Sequence, residues 1–282
     1  MIRQLKNSLE ITARMAKFFA EASLKSVKIQ DPVELRRYLI QHVSDGCKPA
    51  IESLNFDVKL VGFDAARMKS NNYLMVGNHM SYMDVLVLAS AQPALFVTSE
   101  DMGELPVLGH ITKMAGCIFV ERRNRSKVDR DLHQMTEALK QGFDVMIYPE
   151  GTSTNGQQVL PFKKSLLMAA VEAGKDIQPI CLKYTEIDGE PFGPHNADKI
   201  CWYGDMTFAP HFLQVMNLKS VKAELHFLDP IKVTKDSTRS ELAEQAYRSI
   251  NDEYMKGRDP IAAQSVATPK SAASSQDDVR FA

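Results

Sequence analysis

Several things are scarce in this sequence, and each scarcity excludes something. No uninterrupted apolar run approaches the ~20 residues that a helix needs to cross a bilayer, so a membrane-spanning helix is not expected. The formal charge is only -1, so no global field gathers nucleic acid, and none is expected as a partner. The cysteines Cys47, Cys117, Cys181 and Cys201 are scattered, with no C-x-x-C among them. That pattern suggests neither a zinc site nor a disulfide framework, and a reduced, cytoplasmic compartment is the simplest reading. No Gly-x-Ser-x-Gly elbow is present, which argues against a serine hydrolase. Met1-Ile2-Arg3-Gln4-Leu5-Lys6 is followed by no hydrophobic core or cleavage site, so no secretory signal is expected. Internal repeats are absent. What remains is a chain of 282 residues, enough for one large or two small domains with a substantial core.

The informative stretch is Gly77-Asn78-His79-Met80-Ser81-Tyr82-Met83-Asp84. The apolar run Tyr73-Leu74-Met75-Val76 before it reads as a buried strand, and Val85-Leu86-Val87-Leu88-Ala89 after it continues as a helix. On one regular helix, His79 and Asp84 would stand about 140° apart and could not meet. They meet if His79 lies in the turn and only Asp84 in the first helical turn, with Ser81 as N-cap and the helix dipole favouring the carboxylate. Asp84 then accepts from one ring nitrogen and leaves the other as a base, which suits removal of a hydroxyl proton. The alternative at this point is a turn histidine bonded to a carboxylate for structure alone.

Two later stretches add to it. Gly116-Cys117-Ile118-Phe119-Val120-Glu121-Arg122-Arg123-Asn124-Arg125 puts arginines at a strand end, and Val145-Met146-Ile147 runs into the polar loop Tyr148-Pro149-Glu150-Gly151-Thr152-Ser153-Thr154. The order Asn-His-x4-Asp, Phe-Val-x-Arg, Pro-Glu-Gly-Thr and Gln178-Pro179-Ile180-Cys181 resembles the glycerolipid acyltransferase family, of which 1-acylglycerol-3-phosphate acyltransferases are familiar members. The similarity spans roughly residues 55 to 230.

The resemblance implies acyl transfer from a thioester, on coenzyme A or acyl carrier protein, to the hydroxyl of a lyso-lipid. It makes His79 the general base and Asp84 its orienting partner, with Cys117 as inert packing rather than a nucleophile. It assigns Arg122 to the acceptor's phosphate, where a guanidinium fork suits the oxyanion, and adds Glu150, Gly151 and Thr152 to substrate binding. Gly151 would let backbone amides approach an anion, Thr152 would donate, and Glu150 would partner Arg122 or His79. No cofactor or metal is implied beyond the acyl-CoA or acyl-carrier-protein co-substrate. The sequence departs from the family where Ser153 and Thr154 replace the usual arginine and serine. The first expectation for the acceptor is 1-acylglycerol-3-phosphate, giving phosphatidic acid. The missing charge leaves lyso-ornithine lipid or another lysophospholipid as alternatives. A lipid-binding protein that has lost the chemistry is the alternative of a different class, although His79 and Asp84 are both present.

Along the rest of the chain, residues 1 to 30 read as an amphipathic helix with Ile2, Leu5, Leu9, Met15, Phe18, Phe19 and Ala22 on one stripe. Basic residues outnumber acids there, so the helix either lies on an anionic membrane or packs on the protein's own core. Asp31-Pro32 starts a second helix, expected to stop near Gly46, with a short one after Pro49. Phe56 to Val61 alternates like an edge strand. Lys127 to Lys140 reads as a charged amphipathic helix carrying Leu132, Met135 and Leu139 inward. Residues 186 to 205 read as a loop, Val221 to Leu228 as a strand, and Thr238 to Tyr254 as a helix with a Thr238/Glu241 capping box. Packing near the cleft is the favoured role for Trp202-Tyr203-Gly204-Asp205-Met206.

The expected fold is therefore α/β, with a mixed, largely parallel sheet flanked by helices and an N-terminal amphipathic helical segment. Three regions are expected: 1–54 helical at the membrane surface, 55–256 the acyltransferase domain, and 257–282 a disordered tail. A peripheral place on the cytoplasmic face of the inner membrane goes with this.

Overall fold

A computed structural model describes residues 2–105, 108–121 and 127–258. Arg122, Arg123, Arg125 and the tail beyond 258 lie outside the described residues. An eight-stranded mixed sheet has the order β1-β8-β6-β2-β5-β3-β4, with a short β7 on β6. Its strands are β1 (Phe56–Val61), β2 (Leu74–Gly77), β3 (Leu95–Ser99), β4 (Ile118–Val120), β5 (Val145–Ile147), β6 (Ile177–Ile187), β7 (Glu190–Pro191) and β8 (Val221–Phe227). Among the described strands, the β6/β8 and β6/β7 pairings are antiparallel and the rest parallel. β1 lies at one edge, as its alternation predicts, and β2 and β5 are buried throughout. Central parallel strands covered on both faces read as unbroken apolar runs, which Leu74-Met75-Val76 and Val145-Met146-Ile147 are.

This topology positions the site. β2 lies between β5 and β6, parallel to both, with Val76 opposite Ile147 and Gly77 opposite Ile180. The carboxyl ends of the strands therefore open side by side, and Asn78-His79 leaves the sheet beside Tyr148-Pro149-Glu150. Open α/β sheets carry their ligand sites at such ends. Gly77 lets Met146 pack close, since an added Cβ would come within 2.6 Å of Met146 Cε and displace that methyl.

Helices α1 (Ile2–Lys28) and α2 (Pro32–Ser53) precede the sheet and pack on each other. Asp31 caps α2 by accepting from the Glu34 amide at 2.7 Å, and Pro32 takes a first-turn position. The expected break at Gly46 and Pro49 does not occur; α2 is one helix with Pro49 inside it. An interior proline costs about 3 kcal/mol. Leu39, Ile40 and Ile51 are buried along a single helix that packs on α4 (Met83–Ala91), and that burial offsets the cost. On α1, Ile11 and Ala22 are buried, while Phe18 stacks on His42 and Phe19 lies against His110. The described part of the stripe thus packs on the protein, and Leu24 and Val27 are left exposed.

The loop expected over residues 186 to 205 starts later than its composition suggests. β6 runs to Ile187 and turns into β7, so the expected loop begins later and holds a 3-10 turn at Ala197–Lys199. The short helices α3 (Ala65–Ser70), α5 (Glu100–Glu104) and α6 (Leu108–Met114) come before α7 (Val128–Lys140). α8 (Met168–Ala173), α9 (Phe208–Met216) and α10 (Arg239–Met255) complete the order. The capping box of α10 is present as expected. Among the described residues, no helix is long and apolar enough to cross a membrane.

Candidate active site

β2 ends at Gly77, and α4 begins at Met83. Between them the chain folds back on the Asp84 carboxylate. Asp84 Oδ2 accepts from the amides of Met80 at 2.6 Å and Ser81 at 2.8 Å, and from His79 Nδ1 at 2.9 Å. Asp84 Oδ1 accepts from the Tyr184 hydroxyl at 2.7 Å. With Nδ1–H donated to a carboxylate, the free Nε2 carries the lone pair. The two groups meet as the spacing predicts, with His79 in the turn and Asp84 in the first helical turn. Ser81 is not the N-cap: Tyr82 occupies that position and Ser81 Oγ accepts from the Met83 amide at 3.3 Å. The cap-like work falls on Asp84, whose carboxylate reaches back to two amides.

The His79 ring and main chain are held from other directions too. Its ring stacks on Tyr148, with centroids 4.1 Å apart. Its own amide donates to Glu150 Oε1 at 2.6 Å, and the Leu160 amide donates to Glu150 Oε2 at 2.7 Å. Glu150 is thus a partner of His79, but of its main chain. Burial pushes the Glu150 carboxyl up to about 7, with the nearby Asp84 charge adding to the rise against the pull of its two amide donors. The buried Asn78 side chain bridges to β6, accepting from the Leu182 amide at 2.9 Å and donating to its carbonyl at 3.0 Å. The Thr154 amide donates to the His79 carbonyl at 3.0 Å. The histidine turn and the Pro-Glu-Gly-Thr loop therefore form one hydrogen-bonded unit.

Gly151 takes φ of 74°, a left-handed conformation that favours glycine. Thr152 is exposed, and its hydroxyl makes only a 3.4 Å contact with the Ser153 carbonyl. Ser153, where the family has arginine, donates to the Trp202 carbonyl instead. Trp202 in turn donates its amide to the Met80 carbonyl at 2.8 Å, so the tryptophan segment braces the cleft. Arg122 lies outside the described residues. Sequence reasoning missed Tyr184 and Tyr254. Tyr254, fully buried on α10, donates to the Gly156 carbonyl at 2.5 Å and lies 3.2 Å from Met80 Sδ. Among the described residues, no group of three or more His, Cys, Asp or Glu side chains is arranged to hold a metal ion.

A largely parallel sheet with a histidine–carboxylate pair at a strand-to-helix turn, beside a Pro-Glu-Gly-Thr loop, defines an α/β domain with its candidate site at the carboxyl ends of the central strands. Residues 58–183 match the family model described as Acyltransferase, so the chain carries an acyltransferase domain and is an O-acyltransferase. The lyso-ornithine lipid O-acyltransferase of Rhizobium meliloti is 28% identical over 206 residues, covering 70% of this chain and 70% of that protein. The 1-acyl-sn-glycerol-3-phosphate acyltransferase of Neisseria gonorrhoeae is 24% identical, covering 64% of this chain and 68% of that protein. In fold, the chain is similar to the 1-acyl-sn-glycerophosphate (LPA) acyltransferase PlsC from Thermotoga maritima, with a TM-score of 0.64 over 90% of this chain and 96% of that one, at 21% identity.

Proposed function

We propose that this protein transfers a fatty acyl group from a thioester to the hydroxyl of a lyso-lipid, with His79 as general base. The observation that carries the reading is the 2.9 Å bond between His79 Nδ1 and the buried Asp84 carboxylate, which leaves Nε2 as proton acceptor. Nε2 takes the hydroxyl proton as the oxygen attacks the thioester carbonyl. The carbon–sulfur bond then breaks, and the departing thiolate recovers the proton from the imidazolium. A positioned base of this kind contributes ~10²–10⁴-fold. Acyl-CoA or acyl carrier protein is the donor, and no separate cofactor is invoked. The enzyme works from the cytoplasmic face of the membrane as a peripheral protein, with Arg122 assisting at the acceptor's anion.

For the acceptor we favour a lyso-ornithine lipid. Two observations support this: the relative of that name is the more similar of the two described, and Ser153 carries no charge where the family's arginine stands. The second reading, 1-acylglycerol-3-phosphate, rests on the Neisseria relative's name. The test offers purified protein one labelled acyl-CoA with a panel of lyso-lipids and follows acylated lipid and free fatty acid by mass spectrometry. Acyl transfer to a lyso-lipid supports the reading. Release of free fatty acid alone points to a thioesterase, and binding without either product points to a silent lipid-binding protein.

A further inference from the structure

From Met206 to Leu218 the chain holds no Asp, Glu, Lys or Arg, in a sequence that is 24% charged overall. Helix α9 occupies most of that stretch. His211 and Val215, four residues apart, are buried as its inner face. Ala209, Pro210, Leu213 and Gln214 lie on its exposed side, with Leu213 56% exposed. A surface helix ordinarily turns charged groups outward, and this one turns out none. Burial pulls the His211 pKa down, against weaker pulls from the Cys201 carbonyl and Asp198, so no cation arises at neutral pH.

This uncharged helix stands beside the histidine turn. Tyr82, between His79 and Asp84 in the chain, has its hydroxyl 2.9 Å from His211 Nδ1. Its ring meets Phe208 and Phe212 edge-on or tilted, at 5.0 and 6.3 Å between centroids. α9 also touches α1. Five large apolar side chains stand exposed among the described residues, and three of them, Leu24, Val27 and Leu213, belong to these two helices.

Size decides what can cover the outer face. The helix has nine residues; at 1.5 Å of rise each and a width near 10 Å, its face offers roughly 140 Å². A stable protein interface takes about 800 Å² from each partner. A bilayer needs no matching patch, because each apolar side chain that enters the headgroup–acyl boundary contributes on its own. A lyso-lipid acceptor also has to be met at that boundary.

Resting on the lyso-lipid reading above, we infer that the outer face of α9 is a bilayer-contact surface, with Leu213 entering the hydrocarbon edge and the Tyr82–His211 bond tying that contact to the His79 turn. The contact is apolar, so it belongs to neutral and anionic membranes alike and does not weaken with salt.

The test uses the full chain and neutral phosphatidylcholine vesicles, with and without lyso-ornithine lipid as acceptor. Leu213→Asp should lower the vesicle partition constant by roughly tenfold, at low and high salt alike. The same change at Leu60, exposed on edge strand β1, should leave it unchanged. With labelled acyl-CoA, Leu213→Asp should raise the apparent KM for vesicle-borne lyso-lipid. Its kcat, and its KM for a short-chain lyso-lipid dispersed as monomers, should stay put. Leu213→Trp gives a second measurement: the added fluorescence should shift to the blue on vesicles and be quenched by phosphatidylcholine brominated in its acyl chains. Unchanged partition of folded Leu213→Asp, an equal loss from Leu60→Asp, or no quenching of Leu213→Trp on bound protein would each overturn the surface while leaving acyl transfer intact. A wild-type dimer that Leu213→Asp splits, seen by light scattering, would overturn it in favour of a second copy of the chain. A wild type that acylates no lyso-lipid would sink the enzymatic reading, and partition and quenching then decide the surface by themselves.

Discussion

Tyr184 donates its phenolic hydrogen to Asp84 Oδ1 at 2.7 Å, joining residues 100 positions apart in the chain. The other carboxylate oxygen is taken by His79 Nδ1 and the amides of Met80 and Ser81. Both oxygens are therefore occupied, and the carboxylate cannot turn without breaking a bond at each end. Burial, with the Asp84 charge beside it, pushes the Tyr184 phenol well up, so it remains a donor. The orientation of the His79 ring thus depends on β6, the direct neighbour of β2 in the sheet but four strands later in the chain.

Removing that hydroxyl should show whether the link matters. Tyr184→Phe leaves Asp84 Oδ1 buried without its donor, a loss of about 1–3 kcal/mol. The expected outcome is a lower urea midpoint and a kcat reduced by roughly tenfold, with KM for both substrates little changed and the acid limb of the pH–rate profile displaced. A loss of stability with an unmoved pH–rate profile and kcat would make Tyr184 a packing residue only.

His79→Ala should remove most transfer, by ~10²–10⁴-fold, from a protein that remains folded. Asp84→Asn should be less severe on activity, because the base survives with its orientation disturbed. Its stability cost should be the larger of the two, because Asp84 accepts from three backbone or ring donors through Oδ2 alone while His79 is partly exposed. Activity and chemical denaturation measured on the same preparations check both orderings. Near-normal turnover by folded His79→Ala would end the general-base assignment.

The parts of this site that were legible in the sequence are those written within a few residues of each other. His79 and Asp84 are close enough for turn and helix geometry to decide whether they meet. The strand-to-loop transitions at Val76 and Ile147 follow from apolar runs ending in polar, Gly-rich stretches. Tyr184 and Tyr254 left no such trace: each is one aromatic in an apolar element, and its hydroxyl's partner is fixed only by sheet order or by the docking of α10. Pro49 was misleading for the opposite reason. Local propensity marks a helix end there, but the buried side of α2 continues past it. The role of Glu150 lay between these cases, since its partnership with His79 was expected but falls on the main-chain amide.

Glu150 should make stability depend on pH in a defined direction. Its folded pKa of about 7 lies above the 4.5 of an ordinary glutamate, chiefly through burial. A carboxyl raised in this way binds its proton more tightly when folded. Its stabilising contribution is full below about pH 4.5 and is lost as pH rises through about 7, a change on the order of 3 kcal/mol. Glu150→Gln cannot titrate and leaves one of the two amides, His79 or Leu160, without a good acceptor. Wild type should therefore exceed the variant in urea stability by more at pH 5 than at pH 8. A gap that is constant or wider at pH 8 would contradict the burial argument.

α10 lies beyond the matched residues 58–183, yet it clamps the loop that follows Glu150. Tyr254 and Arg258 both donate to the Gly156 carbonyl, at 2.5 and 2.7 Å, and the Arg258 guanidinium lies 3.9 Å over the Tyr254 ring. Because the carbonyl has two donors, Tyr254→Phe alone should cost no more than about 1 kcal/mol, and so should Arg258→Ala. The double variant leaves the carbonyl without either donor and should lose more than the sum. Strict additivity in thermal or urea unfolding would show that the donors act independently.

The N-terminal helix is where membrane contact is expected, and the structure changes which residues should make it. Phe18 and Phe19 are engaged with His42 and His110, and Ile11 and Ala22 are buried, so these side chains are not free to enter a bilayer. Leu24 and Val27 are 55% and 75% exposed, beside the exposed Lys17, Lys25 and Lys28. Removing residues 1 to 28 would strip core contacts as well as charge, and aggregation of that truncation is the expected result. Point variants separate the two contributions. Each basic residue near an anionic surface is worth about 1 kcal/mol, so replacing Lys17, Lys25 and Lys28 by Gln should weaken binding to anionic vesicles by up to roughly 3 kcal/mol. The effect should shrink as salt shortens the reach of the charges. Val27→Asp should weaken binding to neutral and anionic vesicles alike, because it removes an apolar contact rather than a charge. Vesicle flotation at low and high salt measures both. Unchanged flotation of the folded triple variant on anionic vesicles would remove the electrostatic contribution, and unchanged flotation of Val27→Asp would remove this face of α1 from the membrane contact.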